Sequence, residues 1–151
     1  MNKNKNLIKE LNSMLKGINM GEDTFKIYKD KAKDESLKSE IEEILSIFNS
    51  QKGTITSYIE KLGGDAKESL GVGGEIASTF EKLKDAFLDK DKDILNHALK
   101  AVDMGVRGAE EVVNSCKKIN TEDSIMKSLN EMLDQYKDAS NRLQVLSKET
   151  V

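Results

Sequence analysis

Apolar residues recur along this chain in alternating steps of three and four, the spacing of helices that each bury one face. The first stripe runs Leu7/Ile8, Leu11, Met14/Leu15, Ile18, Phe25, Tyr28 and Ala32, and predicts a helix over about 4–31. Its register lapses once, between Ile18 and Phe25, where the core step falls on Glu22 beside Gly21. A second stripe, Leu37, Ile41, Ile44/Leu45, Phe48, Ile55, Ile59 and Leu62, predicts a helix over about 35–62. It lapses too, because the step between Phe48 and Ile55 falls on Gln51 or Lys52. The run Gly53-Thr54-Ile55-Thr56 is strand-like in composition. Phe48, Ile55, Ile59 and Leu62 nevertheless keep helical spacing across it, so the helix is expected to continue, weakened or bent at Gly53. Asp34, three residues before Leu37, is placed to cap this helix, and Gly63-Gly64 to end it.

Five glycines, at 63, 64, 71, 73 and 74, mark the one substantial connection. Beyond it, Ile76, Phe80, Leu83 and Phe87 predict a short amphipathic helix over 75–88, packed as a lid across the other helices. Its opposite face carries Glu81, Lys82, Asp85 and Asp89, a mixture that suits water better than a membrane surface. Asp89-Lys90-Asp91-Lys92-Asp93 reads as a solvated turn. A third long helix follows over about 93–118, with Leu95, Ala98, Val102, Val106 (or Gly105), Ala109, Val113 and Cys116 inward. Gly105, Gly108 and Ala109 would let a neighbour approach closely. The last helix, about 122–148, carries Ile125, Leu129, Met132/Leu133, Tyr136, Ala139/Ser140, Leu143 and Leu146.

Four amphipathic helices of about 25 residues, each roughly 37 Å long, define an all-α four-helix bundle. The expectation is a single domain over 1–151, with the short extra helix in the long connection between helices 2 and 3. Short turns make helices 1–2 and 3–4 antiparallel hairpins, while the long connection lets helix 3 run parallel to helix 2.

Composition agrees. No proline occurs in 151 residues, against an ordinary usage of about 5%, as suits a chain of long helices. The 24 basic and 27 acidic residues are interspersed, giving a net charge of -3 and no field that would favour nucleic acid or an anionic membrane. Arg107 and Arg142 are the only arginines, so bidentate phosphate or base recognition has few candidates. The single cysteine, Cys116, excludes an internal disulfide. Residues 1–6 lack the apolar core of a signal peptide, and no stretch approaches about 20 apolar residues, so a cytoplasmic chain is expected.

Catalytic signals are sparse. Gly71-Val72-Gly73-Gly74 lacks the preceding strand and the Gly-Lys-Ser/Thr ending of a phosphate loop. Cys116 lies on an apolar stripe and reads as a packed small hydrophobe. His97, the only histidine, reads as a surface or boundary residue, and Tyr28, Tyr58 and Tyr136 as core-edge aromatics with hydroxyls at water. Asp103 and Arg107, four apart, would pair on one helix face. Glu22 is the residue that matters: it is a ligand, a buried hydrogen-bonded carboxylate, or a residue at the edge of its stripe.

Leu11-Asn12, Gly21-Glu22, Phe25, Lys33-Asp34 with Leu37-Lys38, Leu62-Gly63-Gly64 and Asp93-Ile94-Leu95 together resemble a bacterial family of uncharacterised ferritin-like bundles, domain of unknown function 2383. The resemblance spans nearly the whole chain and implies a ferritin-like fold without an established activity. Ferritin-like di-metal centres take a Glu from each of two helices and Glu-x-x-His from each of the other two. Glu22 fits the first place. Helix 2 offers Gln51-Lys52-Gly53-Thr54, helix 3 offers Val102 or, with one residue of slip, Asp103, and helix 4 offers Lys137 and Ser140. That set cannot hold two irons, so no cofactor is expected, with Glu22 and Asp103 the only weak metal candidates. Glu22, Gln51, Thr54 and Ser140 are expected instead to form a buried polar layer.

The expected function is that of a non-enzymatic bundle acting through a protein partner or self-association, with the di-metal site degenerate or absent. The alternative, carried by the resemblance and Glu22, is an iron- or manganese-binding ferritin-like protein of the stress response.

Overall fold

The computed structural model describes residues 2–66, 88 and 90–149. Four long helices dominate it: α1 (Asn2–Lys31), α2 (Glu35–Lys61), α3 (Asp91–Lys118) and α4 (Asp123–Glu149). These bounds fall within two residues of those the hydrophobic pattern predicts. The short helix expected over 75–88 lies outside the described residues, apart from Leu88, which is buried. No strand occurs among the described residues, and no helix there is long and apolar enough to cross a membrane.

Local chemistry sets the helix ends. Asp34 adopts an extended backbone, and its carboxylate accepts from Leu37 N at 2.9 Å, capping α2. The other end of α2 closes on Gly63 at φ +84, with Gly63 N donating to Glu60 O and Gly64 N to Ile59 O. Those two bonds form a Schellman motif, which needs the left-handed backbone that glycine adopts without strain. α3 ends the same way around Asn120 at φ 53, with Asn120 N donating to Lys117 O and Thr121 N to Cys116 O. Gly53 neither breaks α2 nor interrupts its helical span.

Cross-links between helices give the topology. Asp91, at the start of α3, accepts from Lys33 N (2.8 Å) and Asp34 N (2.9 Å) in the α1–α2 turn. The start of α3 therefore sits beside the end of α1, and these helices run antiparallel. Glu40–Arg142, Gln51–Gln135 and Tyr58–Ser128 tie α2 to α4 with one number rising as the other falls, which is again antiparallel. With each hairpin antiparallel as well, α2 and α3 run parallel, as the long connection allows.

The four apolar stripes meet in one core. Leu11, Leu15, Ile18, Phe25, Ile41, Ile55, Ile59, Ile94, Ile125, Leu129 and Leu143 are sealed almost completely from water. Each such side chain contributes about 1.5–3 kcal/mol by leaving water.

Candidate functional site

The place to look for chemistry is the middle of the bundle, where the stripes of α1 and α2 lapse. On α1 the core step is taken by Gly21. A Cβ at Gly21 would lie 2.6 Å from Phe48 Cζ, so the Phe48 ring of α2 occupies the space that a side chain on α1 would otherwise fill. Phe48 in turn packs edge-on to Phe25 (centroids 5.7 Å) and tilted against Tyr136 (5.9 Å), and Phe25 meets Tyr28 at 5.0 Å. Aromatic contacts of this kind add about 0.5–1.5 kcal/mol each beyond their burial. The bundle centre is thus filled by rings from three helices.

Gln51 supplies the polar element. It is buried, its Oε1 accepts from the Tyr136 hydroxyl at 2.5 Å, and its Nε2 donates to Gln135 Oε1 at 2.8 Å. Tyr136 is a buried hydrogen-bond donor, and Tyr58 bonds Ser128 Oγ at 2.6 Å, so neither hydroxyl is left to water as the sequence suggested. Burial pushes the Tyr28 phenol up to about 12, and the Tyr136 phenol further still.

The four residues expected to form one polar layer each take other partners. Glu22 lies at the α1–α2 seam, 15% exposed, with Lys26 Nζ at 3.8 Å and Lys52 Nζ at 3.7 Å. Two ammonium groups compensate its charge in place of Gln51, Thr54 or Ser140. Thr54 is half-buried and donates to Ser50 O of its own helix. Ser140 is buried and donates to Asp103 Oδ1 at 2.9 Å, across the α3–α4 seam. Asp103 is therefore held by Ser140, and the expected Asp103–Arg107 pair does not form among the described residues.

Glu22 and Asp103 thus belong to opposite seams, α1–α2 and α3–α4, with the aromatic cluster between them. Among the described residues no three of His, Cys, Asp or Glu converge. At the depth where a di-metal centre would need inward carboxylates and imidazoles, this chain presents a phenyl ring, a neutral amide and a phenol. Such donors do not fit two hard cations. His97 is half-buried near the start of α3, and Cys116 is buried near its end, its thiol pushed up by burial. Neither belongs to a group of three or more His, Cys, Asp or Glu side chains among the described residues that could hold a metal ion.

The hydropathy pattern does not reveal the roles of Gly21, Tyr136 and Asp91. A glycine leaves no hydropathy signal. The Tyr136 and Gln51 pairing was available as one mid-stripe phenol on α4 and one mid-stripe amide on α2.

Fold and centre together define an all-α, ferritin-like four-helix bundle. The chain belongs to the family described as Domain of unknown function (DUF2383), whose model matches residues 6–115. Its structure is similar to one described as "Crystal structure of ferritin like, diiron-carboxylate proteins from Bacillus anthracis str. Ames". The TM-score is 0.76, over 97% of this chain and 99% of that one, at 16% identity. At that identity the likeness establishes the fold. Among curated proteins, none matches the chain.

Proposed function

We propose that this protein is a non-enzymatic ferritin-like bundle that works by binding a protein partner or another copy of itself. Its centre serves packing in place of metal chemistry. The observation that carries this is the Tyr136–Gln51 hydrogen bond inside the Phe25, Phe48 and Tyr136 cluster. A phenol donating to an amide carbonyl holds both groups neutral and hydrogen-bonded, and so supplies no anionic ligand for a cation. Evenly mixed surface charge supports a role that needs neither a nucleic acid nor an anionic lipid as partner.

Oxygen consumption after Fe(II) addition, with sedimentation velocity over a concentration series of the full chain, tests this reading. The expected result is consumption no faster than in buffer, with a sedimentation coefficient that rises with concentration or on adding the partner. Fe(II)-dependent oxygen consumption that disappears in Glu22→Ala would overturn it.

A further inference from the structure

α1 and α3 do not close completely on one another. Between them lies a cavity of about 660 Å³, inside the range of roughly 300–1,000 Å³ occupied by small-molecule sites. Its walls include Gly17, Gly105 and Gly108. Among the described residues a Cβ at Gly17 or Gly108 would meet nothing within 4 Å, so these two glycines do not serve close contact between the described helices, the use the sequence suggested for Gly108. They widen a groove. Its floor is apolar, with Phe48 and Tyr136 contributing the edges of their rings and Phe25 sealed beneath them. The exposed Met104, at 65%, stands on the α3 wall, with Met20 on the α1 wall. Thioether side chains of this kind adapt to an apolar ligand.

The polar lining is segregated by sign. Because α1 and α3 are antiparallel, His97 and Lys100 stand at the end beside Tyr28, whereas Glu10 and Glu111 stand at the opposite end. Glu10 and Tyr28 are 18 residues apart on α1, so the groove runs roughly 27 Å along that helix. Among the described residues this is an elongated apolar trough with a cation at one end and two carboxylates at the other.

We propose that this groove binds a free long-chain carboxylate, independently of the function proposed above. The alkyl chain lies between Met20 and Met104 over the exposed edges of Phe48 and Tyr136, and the head group meets Lys100 and His97. Glu10 and Glu111 repel the head from the other end, which fixes the ligand's direction. Most of the binding comes from the alkyl chain, at about fourfold in affinity per methylene buried.

Isothermal titration of the full chain with decanoate, laurate and myristate tests this, with the alcohols of equal length as controls. Saturable one-to-one binding is expected, tightening about fifteenfold for each two added methylenes. Carboxylates should bind more tightly than alcohols, and Lys100→Glu should invert that preference. Gly105→Leu should abolish the binding of both. A Cβ there falls 3.7 Å from Tyr136 Cδ2, an ordinary contact, so the larger side chain fills the trough without clashing at its root. Circular dichroism confirms that each variant is folded. The proposal is overturned if no saturable binding occurs, as when another part of the chain or a second copy fills the groove. Binding unaffected by Gly105→Leu in the folded variant would also overturn it, as would binding only to anionic phospholipid vesicles.

Discussion

Removing the Tyr136 hydroxyl isolates the interaction on which the bundle centre depends. In Tyr136→Phe the ring stays in its cluster with Phe48, but Gln51 Oε1 loses the donor that lies at 2.5 Å. Gln51 is 2% exposed, so water cannot readily replace it. An unsatisfied buried carbonyl costs about 1–3 kcal/mol. For a domain of this size each kcal/mol lowers the melting temperature by about 2–4 °C. Gln51→Met makes the complementary change, keeping side-chain length while leaving the phenol without an acceptor, again at about 1–3 kcal/mol. The exposed Gln135 can exchange its bond to Gln51 for one to water. The double variant removes both polar atoms together and replaces them with compatible apolar surface. It should therefore be more stable than the sum of the single losses predicts, by about 1–3 kcal/mol. Urea unfolding of the four proteins, followed by circular dichroism, measures that difference. Single losses that add within about 0.5 kcal/mol would show the two groups to be energetically independent, and would refute the reasoning.

Two mid-helix glycines should respond to alanine with opposite signs. Gly53→Ala adds a Cβ that meets nothing within 4 Å among the described residues and should stabilise by about 0.5–1 kcal/mol, whereas Gly21→Ala drives a Cβ into the Phe48 ring and should destabilise by about 1–3 kcal/mol. Thermal melts of both variants check this. Asp91→Ala removes the acceptor for Lys33 N and Asp34 N and should cost about 1–3 kcal/mol. Amide exchange at residues 33 and 34 should accelerate more than exchange in the middle of α1. Stability should also fall in alkali. The folded state holds the Tyr28 and Tyr136 phenols neutral, with Tyr28 up to about 12 and Tyr136 higher, whereas in the unfolded chain both ionise near about 10. Their contribution is complete below the unfolded value and declines as pH rises toward the folded one, by at most about 1.4 kcal/mol per pH unit for each phenol. Urea unfolding between about pH 9 and about pH 12 should show a shallower decline for Tyr28→Phe than for the parent chain.

Much of the fold was legible because it rests on repeated, redundant signals. Stripes of seven or more apolar residues specify each long helix, and Asp34 and Gly63-Gly64 carry cap chemistry that depends on near neighbours alone. The centre was less legible, because its key features lie between helices. Glu22 drew attention by interrupting a stripe, yet the core position was Gly21, whose missing volume is supplied by Phe48 from α2. Helical periodicity places Glu22 only to within one neighbour, and that single step separates the interior from the α1–α2 seam, where Lys26 and Lys52 await it. Asp91 looked like one charge among five in a solvated run, and only the antiparallel docking of α3 beside the α1–α2 turn gives its carboxylate two backbone donors. Asn120, which ends α3 with a left-handed backbone, gave a weaker signal than glycine would have given.

Glu22 and Asp103 stand on opposite seams with a ring cluster between them, so the decisive measurement is the metal content of the full chain purified from cells grown with added iron and manganese. Elemental mass spectrometry should find far less than one iron or manganese per chain, with the same value in Glu22→Ala. Close to two metal ions per chain, lost in Glu22→Ala, would contradict an aromatic, hydrogen-bonded centre.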